Sequence, residues 1–287
     1  MISRPRRSVL YLPASNPKAV AKARTLAADV LVLDLEDAVA PESKPEARAG
    51  AVAAIREGGF GRREVVIRVN AFGTEWSEAD LAAAAAAGPD AILVPKVSST
   101  DDVRAYDAAI AAAPAHTRLW IMVETCALLP RLDEVAALAG STRLAAFAMG
   151  TNDLAKEMRA QIKPGRAPFL PILSATICAA RAHGLLVFDG VSNEFKDMDV
   201  VRAECEQGLE FGFDGKCLIH PDQVETCNAV FTPSTAEVDW AEAVVAAFAL
   251  PENQGKGAIR VAGKMAELLH LEQAQRLLAI SAAIRAA

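Results

Sequence analysis

Short apolar runs recur along this chain, each closed abruptly by polar residues, and the segments between them carry apolar positions at helical spacing. The runs fall at 8–12, 30–34, 65–69, 91–94, 119–123, 144–149, 185–188 and 217–219. Their unbroken apolar character fits strands buried on both faces, and a regular strand-then-helix order implies parallel pairing. Eight such units are what a closed barrel requires. The prediction is an α/β protein, a TIM (β/α)8 barrel over residues 1–232, with a C-terminal helical lid extension over 233–287. Helices are expected at 18–28, where Asn16-Pro17 gives a start signal, at 80–87 and at 235–249. The extension continues through a flexible turn at 251–257 and a short hairpin at 259–264 to a final helix beginning at Met265. An open doubly wound sheet is disfavoured, because such folds usually carry a phosphate fingerprint after the first strand and Pro13-Ala14-Ser15-Asn16 holds no glycine.

Polar residues concentrate where the runs end. Glu36, Asp37, Arg68, Lys96, Glu124, Asp153, Asp189 and His220 all follow predicted carboxyl ends, the face on which barrel enzymes place their chemistry. Glu124 and Asp153 close consecutive strands, and a hard divalent cation such as Mg2+ often needs only one or two protein carboxylates. The competing reading makes them a structural ion-pair set with Arg68 and Lys96. Asp37 either orients water or caps the following helix, and His220-Pro221 reads more simply as a loop-shaping pair than as a general base.

Composition narrows the class. The chain has 287 residues, 52 % of them hydrophobic but only 5 % aromatic, which suits close-packed helices on a sheet rather than a β-sandwich. No apolar stretch approaches the roughly 20 residues of a membrane span, so no membrane association and a cytoplasmic location are expected. Five cysteines, an odd number without a CxxC pair, argue against a disulfide framework and against structural zinc. A net charge of −6 gives no reason to expect nucleic acid.

The motifs Arg7-Ser8-Val9-Leu10-Tyr11-Leu12-Pro13, Leu33-Asp34-Leu35-Glu36-Asp37-Ala38-Val39, Ile67-Arg68-Val69-Asn70, Val94-Pro95-Lys96-Val97, Val123-Glu124-Thr125 and the segment from Gly212 to Pro221 occur in this order. Together they resemble the citrate lyase β-subunit-like proteins, grouped with the HpcH/HpaI aldolases and the malyl-CoA lyases. The segment from Met149 to Glu157 is similar to the malyl-CoA thioesterase branch of that group. The resemblance implies a TIM barrel with a carboxyl-terminal lid in a homotrimer or hexamer. It further implies that Glu124 and Asp153 hold Mg2+, that Arg68 meets the substrate at the reacting carbonyl, and that Glu267 reaches a neighbouring subunit's site. Three positions depart from the pattern: Glu267 stands where several lyases have aspartate, Ser192 where many relatives have tyrosine, and Cys126-Ala127-Leu128-Leu129-Pro130 replaces a glycine-containing segment.

The expected substrate is a small hydroxy-dicarboxylic acyl-CoA thioester, with coenzyme A as part of the substrate. Its phosphates would favour the basic residues around the first strand, Arg7, Lys18 and Lys22. Glu36 and Asp37 are expected to support metal-bound waters. The leading expectation is Mg2+-dependent carbon–carbon lyase chemistry, with Arg68 stabilising the enolate and Glu267 moving the proton. Hydrolysis of the same thioester is the alternative, followed by a CoA-free aldol substrate and by a non-catalytic scaffold barrel.

Overall fold

The computed structural model describes residues 4–286. The order of elements is β1 (Ser8–Pro13), α1 (Pro17–Ala23), β2 (Val30–Asp34), α2 (Lys44–Glu57), β3 (Glu64–Arg68), α3 (Ser77–Ala87), β4 (Ala91–Val94), α4 (Thr100–Ala109), β5 (Arg118–Val123), α5 (Leu132–Ala136), β6 (Leu144–Met149), α6 (Thr151–Met158), α7 (Leu170–Ala182), β7 (Leu186–Asp189), α8 (Met198–Phe211), β8 (Gly215–Leu218) and α9 (Gln223–Val230). The eight strands pair in parallel, in sequence order, and β8 closes on β1, giving the expected TIM-type barrel.

The pleat explains why the runs read as unbroken apolar stretches. Successive side chains point to opposite sides of a strand, and here both sides are dry. One set, including Val32, Val66, Leu93, Trp120, Phe188 and Cys217, fills the lumen. The other, including Leu31, Leu33, Ile67, Ile92 and Phe147, packs under the helices. Trp120 and Phe188 meet across the lumen with ring centroids 5.0 Å apart. The barrel is a filled core, and barrel enzymes place their chemistry at the carboxyl mouth.

The start signal of α1 works as expected: Asn16 Oδ1 accepts the Ala19 N–H at 3.1 Å, and Pro17 occupies the first turn. The helix ends at Ala23, short of the predicted Ala28, because Arg24 caps it and the chain turns toward β2.

Two compact units emerge, Arg6–Phe231 and a smaller one built on the chain from Thr232 onward. The smaller unit holds α10 (Thr235–Ala249), β9 (Ala258–Val261), β10 (Lys264–Glu267) and α11 (Leu268–Arg285). Ser234 and Glu237 form a reciprocal capping box that starts α10. Ala262 and Gly263 both have positive φ (44° and 81°), the backbone a two-residue hairpin needs, so the hairpin extends to Glu267. The last helix therefore begins at Leu268, three residues later than predicted from Met265. Among the described residues no helix is long and apolar enough to cross a membrane.

Candidate active site

At the mouth, β2 and β3 lie in a register that places Asp34 beside Arg68. The Arg68 guanidinium grips the fully buried Asp34 carboxylate with two bonds, Nε to Oδ1 and Nη2 to Oδ2, both 2.7 Å. The same carboxylate accepts the N–H groups of Glu36 (2.9 Å) and Ala38 (3.0 Å), so it also shapes the turn that carries Glu36 and Asp37. Arg68 lies with its Cζ 5.1 Å from the Tyr11 ring centre. Burial works against its charge, but the charge and hydrogen bonds of Asp34, with Glu36, more than offset it and raise the pKa well above the ordinary arginine value. Nη1 points away from this clamp. It lies 2.8 Å from Glu36 Oε2 and a longer 3.3 Å from Asp37 Oδ2, whose side chain is largely exposed.

Lys44 supports this turn from behind. Its buried ammonium donates to the carbonyls of Leu35 and Glu36 and to Asn70 Oδ1, at 2.7–2.9 Å. Asn70 in turn donates to Leu35 O and to Asp80.

Glu124 follows β5 directly and is buried. Its Oε1 accepts the backbone N–H of Lys96 at 2.7 Å, while Oε2 has no hydrogen-bond partner among the described residues. Gly150 is required beside it: a Cβ there would lie 2.6 Å from Glu124 Oε2. That close approach brings the first turn of α6, and with it Asp153, to Glu124. The Lys96 ammonium lies 2.7 Å from Asp153 Oδ1 and 3.3 Å from Glu124 Oε1. Burial pushes the Glu124 carboxyl up, Lys96 pulls it back, Asp153 adds to the rise, and the net direction is upward.

These observations fit a hard divalent cation. Among the described residues a buried Glu124 oxygen lacks a donor, and the Lys96 ammonium already sits against both carboxylates. Among the described residues no group of three or more histidine, cysteine or acidic side chains is arranged to hold a metal, so a cation here would rest on the Glu124–Asp153 pair, with its other positions taken by water or ligand.

Arg68, Asp37, Glu124 and Asp153, together with Tyr11 and Asn152, line one cavity of about 310 Å³. Glu36 lies against Arg68 behind this lining. Its carboxyl pKa is pushed up to about 8: burial raises it most, Arg68 and Lys96 lower it, and Glu124 and Asp37 add to the rise. The Arg68 contact lies off the line of a hydrogen bond, so it offsets burial only in part. The folded chain thus keeps a proton that the unfolded chain releases near the ordinary carboxyl range. This contribution to stability is complete below that range and is lost as pH rises through about 8. Urea unfolding in a chelating buffer should show stability falling between roughly pH 5 and 8, with a shallower slope in Glu36→Gln. An unchanged slope in that variant would remove Glu36 as its source.

Other predicted residues lie elsewhere. Arg7 precedes β1, at the end of the barrel opposite the mouth, and its guanidinium holds Asp29 at 2.8 Å. Lys18 and Lys22 are exposed on α1, Lys18 in the turn nearer the mouth. Glu267 ends β10 in the C-terminal unit and caps α11 through a reciprocal arrangement with His270, whose Nδ1 accepts the Glu267 N–H at 2.9 Å. His220 shapes its turn by accepting the Asp222 N–H at 3.2 Å. Asp189 does not face the mouth as its position suggested. Its side chain points to the helix layer, where Arg166 and Lys216 hold it. Sequence reasoning passed over Asp34 and Tyr11 as site residues. Asp34 carried the same signal as Glu124, a carboxylate closing a wholly apolar run.

The chain is 47 % identical over 282 residues to a (3S)-malyl-CoA thioesterase of Cereibacter sphaeroides, covering 98 % of this chain and 96 % of that protein. It is 33 % identical over 299 residues to an L-malyl-CoA/beta-methylmalyl-CoA lyase of the same organism, covering 95 % and 93 %. Among solved structures, the protein CitE from Mycobacterium tuberculosis, in complex with magnesium, acetoacetate and coenzyme A, aligns with a TM-score of 0.78 at 27 % identity, covering 98 % of this chain and 99 % of that one. Residues 7–221 match the HpcH/HpaI aldolase/citrate lyase family, and the chain belongs to it.

Proposed function

We propose that the protein is a Mg2+-dependent hydrolase of a small hydroxy-dicarboxylic acyl-CoA thioester of the (3S)-malyl-CoA type. The observation that carries the reading is one cavity lined by both Arg68 and the Glu124–Asp153 pair. Glu124 and Asp153 would hold the metal, which when bound supplies a positive charge that orients the substrate's carboxylate and hydroxyl. Arg68 Nη1 then meets the thioester carbonyl in place of Asp37 and stabilises the oxyanion as water adds. In its ionised form, which gains population as pH rises toward about 8, Glu36 beside Nη1 accepts the water proton and returns it to the departing thiolate. One C–O bond forms and one C–S bond breaks, giving the free acid and the thiol.

This reverses the order expected from the sequence, where the carbon–carbon lyase stood first. The greater likeness to the thioesterase, 47 % against 33 % for the lyase, favours hydrolysis. The lyase remains the second reading, because the same arginine would stabilise the enolate left by carbon–carbon cleavage. A scaffold barrel has no use for this constellation in one cavity.

Product analysis decides between them. Purified protein with (3S)-malyl-CoA and Mg2+ is expected to release free thiol and malate without a 2-oxo acid. Glyoxylate trapped as its hydrazone, with the acetyl thioester intact, would establish the lyase instead.

A further inference from the structure

Three lysine ammonium groups lie near the barrel's polar clusters, and they are held differently. Lys44 is buried and bound by two backbone carbonyls and an amide oxygen. Lys216 is wholly buried and donates to the Gly190 carbonyl as well as to Asp189. Lys96 alone of the three is partly open to solvent, 37 % exposed at the side chain, and among the described residues its ammonium is held by the carboxylates of Glu124 and Asp153. Its backbone is unusual too. With φ of 54° it adopts the left-handed conformation that non-glycine residues rarely take. Free energy spent on such a conformation persists where the surroundings enforce it. Here the conformation aims the Lys96 N–H at Glu124 Oε1 while the flexible side chain spans both carboxylates. One residue therefore supplies a fixed donor and a movable cation to the same site.

We propose that Lys96 is a built-in exchangeable cation: its ammonium neutralises the Glu124–Asp153 pair in the metal-free protein and swings out to solvent when a divalent cation enters, while its backbone N–H keeps Glu124 aimed. The inference rests on reading Glu124 and Asp153 as metal ligands. A lysine suits the task because its charge is a compact point on a four-carbon stem, without the rigid fork that would make an arginine hard to displace. It follows that Lys96 competes with the metal. The competition sets the metal concentration at which the site fills, and it protects the empty site from repulsion between its two carboxylates.

The test is a calorimetric titration of the metal-free protein with MgCl2, paired with thermal unfolding with and without Mg2+. Lys96→Met and Lys96→Gln are expected to bind Mg2+ about tenfold more tightly than the wild type, since a competing charge a few ångströms away is gone. Their metal-free Tm should fall by about 2 °C, and Mg2+ should raise it by more than it raises the wild type's. Lys96→Arg, which keeps the charge, should show no tightening. Equal or weaker Mg2+ binding in both neutral variants overturns the exchange. Wild-type protein that takes up no Mg2+, or takes it up equally well with Glu124→Gln, overturns the metal reading itself and the exchange with it.

Discussion

Arg68→Lys is expected to lower the turnover of malyl-CoA by about 10²–10³-fold, the usual loss when a preorganised oxyanion donor is removed. Lysine keeps the charge but cannot make both bonds to Asp34 while presenting a third donor to the cavity. The ammonium would settle on the buried Asp34 carboxylate, which lies at the end of the shorter reach, and leave the carbonyl position without a donor. The loss should appear in kcat far more than in KM, because the interaction belongs to the transition state. Steady-state kinetics on folded variant, verified by circular dichroism, provide the check. A kcat within tenfold of wild type would mean that Arg68 serves the fold and not the reaction.

Asp189→Ala is expected to have the largest effect on stability. The carboxylate is fully buried and accepts from Arg166 Nη1 at 2.7 and 2.9 Å and from Lys216 Nζ at 2.9 Å. Burial alone would raise its pKa, yet the two cations pull it below the usual carboxylate range. Alanine would leave two buried positive charges facing each other, with Glu204 Oε2, 3.3 Å from Lys216, as a remaining counter-charge. Breaking one partner of a buried pair typically costs about 3–5 kcal/mol. For a chain of this size that corresponds to a Tm lower by about 10 °C. Calorimetry or urea unfolding reads it directly, and a loss below about 1 kcal/mol would show that the cluster repacks around the vacancy.

Much of this was legible in the sequence, for identifiable reasons. The eight strands announced themselves because nearly all their side chains are dry on both sides, so polar residues enter the runs mainly near their ends. Glu124 stood out for the same reason: a carboxylate ending such a run has no surface to explain it. Asp34 gave an equal signal, but its partner Arg68 lies 34 residues away, and only the strand register brings them together. Asp189 misled because position at a strand end does not say which way the pleat turns the side chain. Its partners come from β8 and from Arg166, whose left-handed backbone (φ 50°) gives no sequence cue. The last helix was placed early because Met265-Ala266-Glu267 has good helix-forming residues. The turn at Ala262-Gly263 decided otherwise, pairing those three residues with β9.

The support that Lys44 and Asn70 give to the turn after β2 also bears on the thermodynamics of ligand capture. The carbonyls of Leu35 and Glu36 are tied from behind by buried donors. Ordering one residue's backbone opposes association by roughly 1–2 kcal/mol when it happens on binding. Here the chain loses that conformational freedom when it folds, before any ligand arrives. A substrate meeting Arg68 and Glu36 therefore encounters a surface whose disorder is already gone, and more of its contact energy is left for the reacting bond.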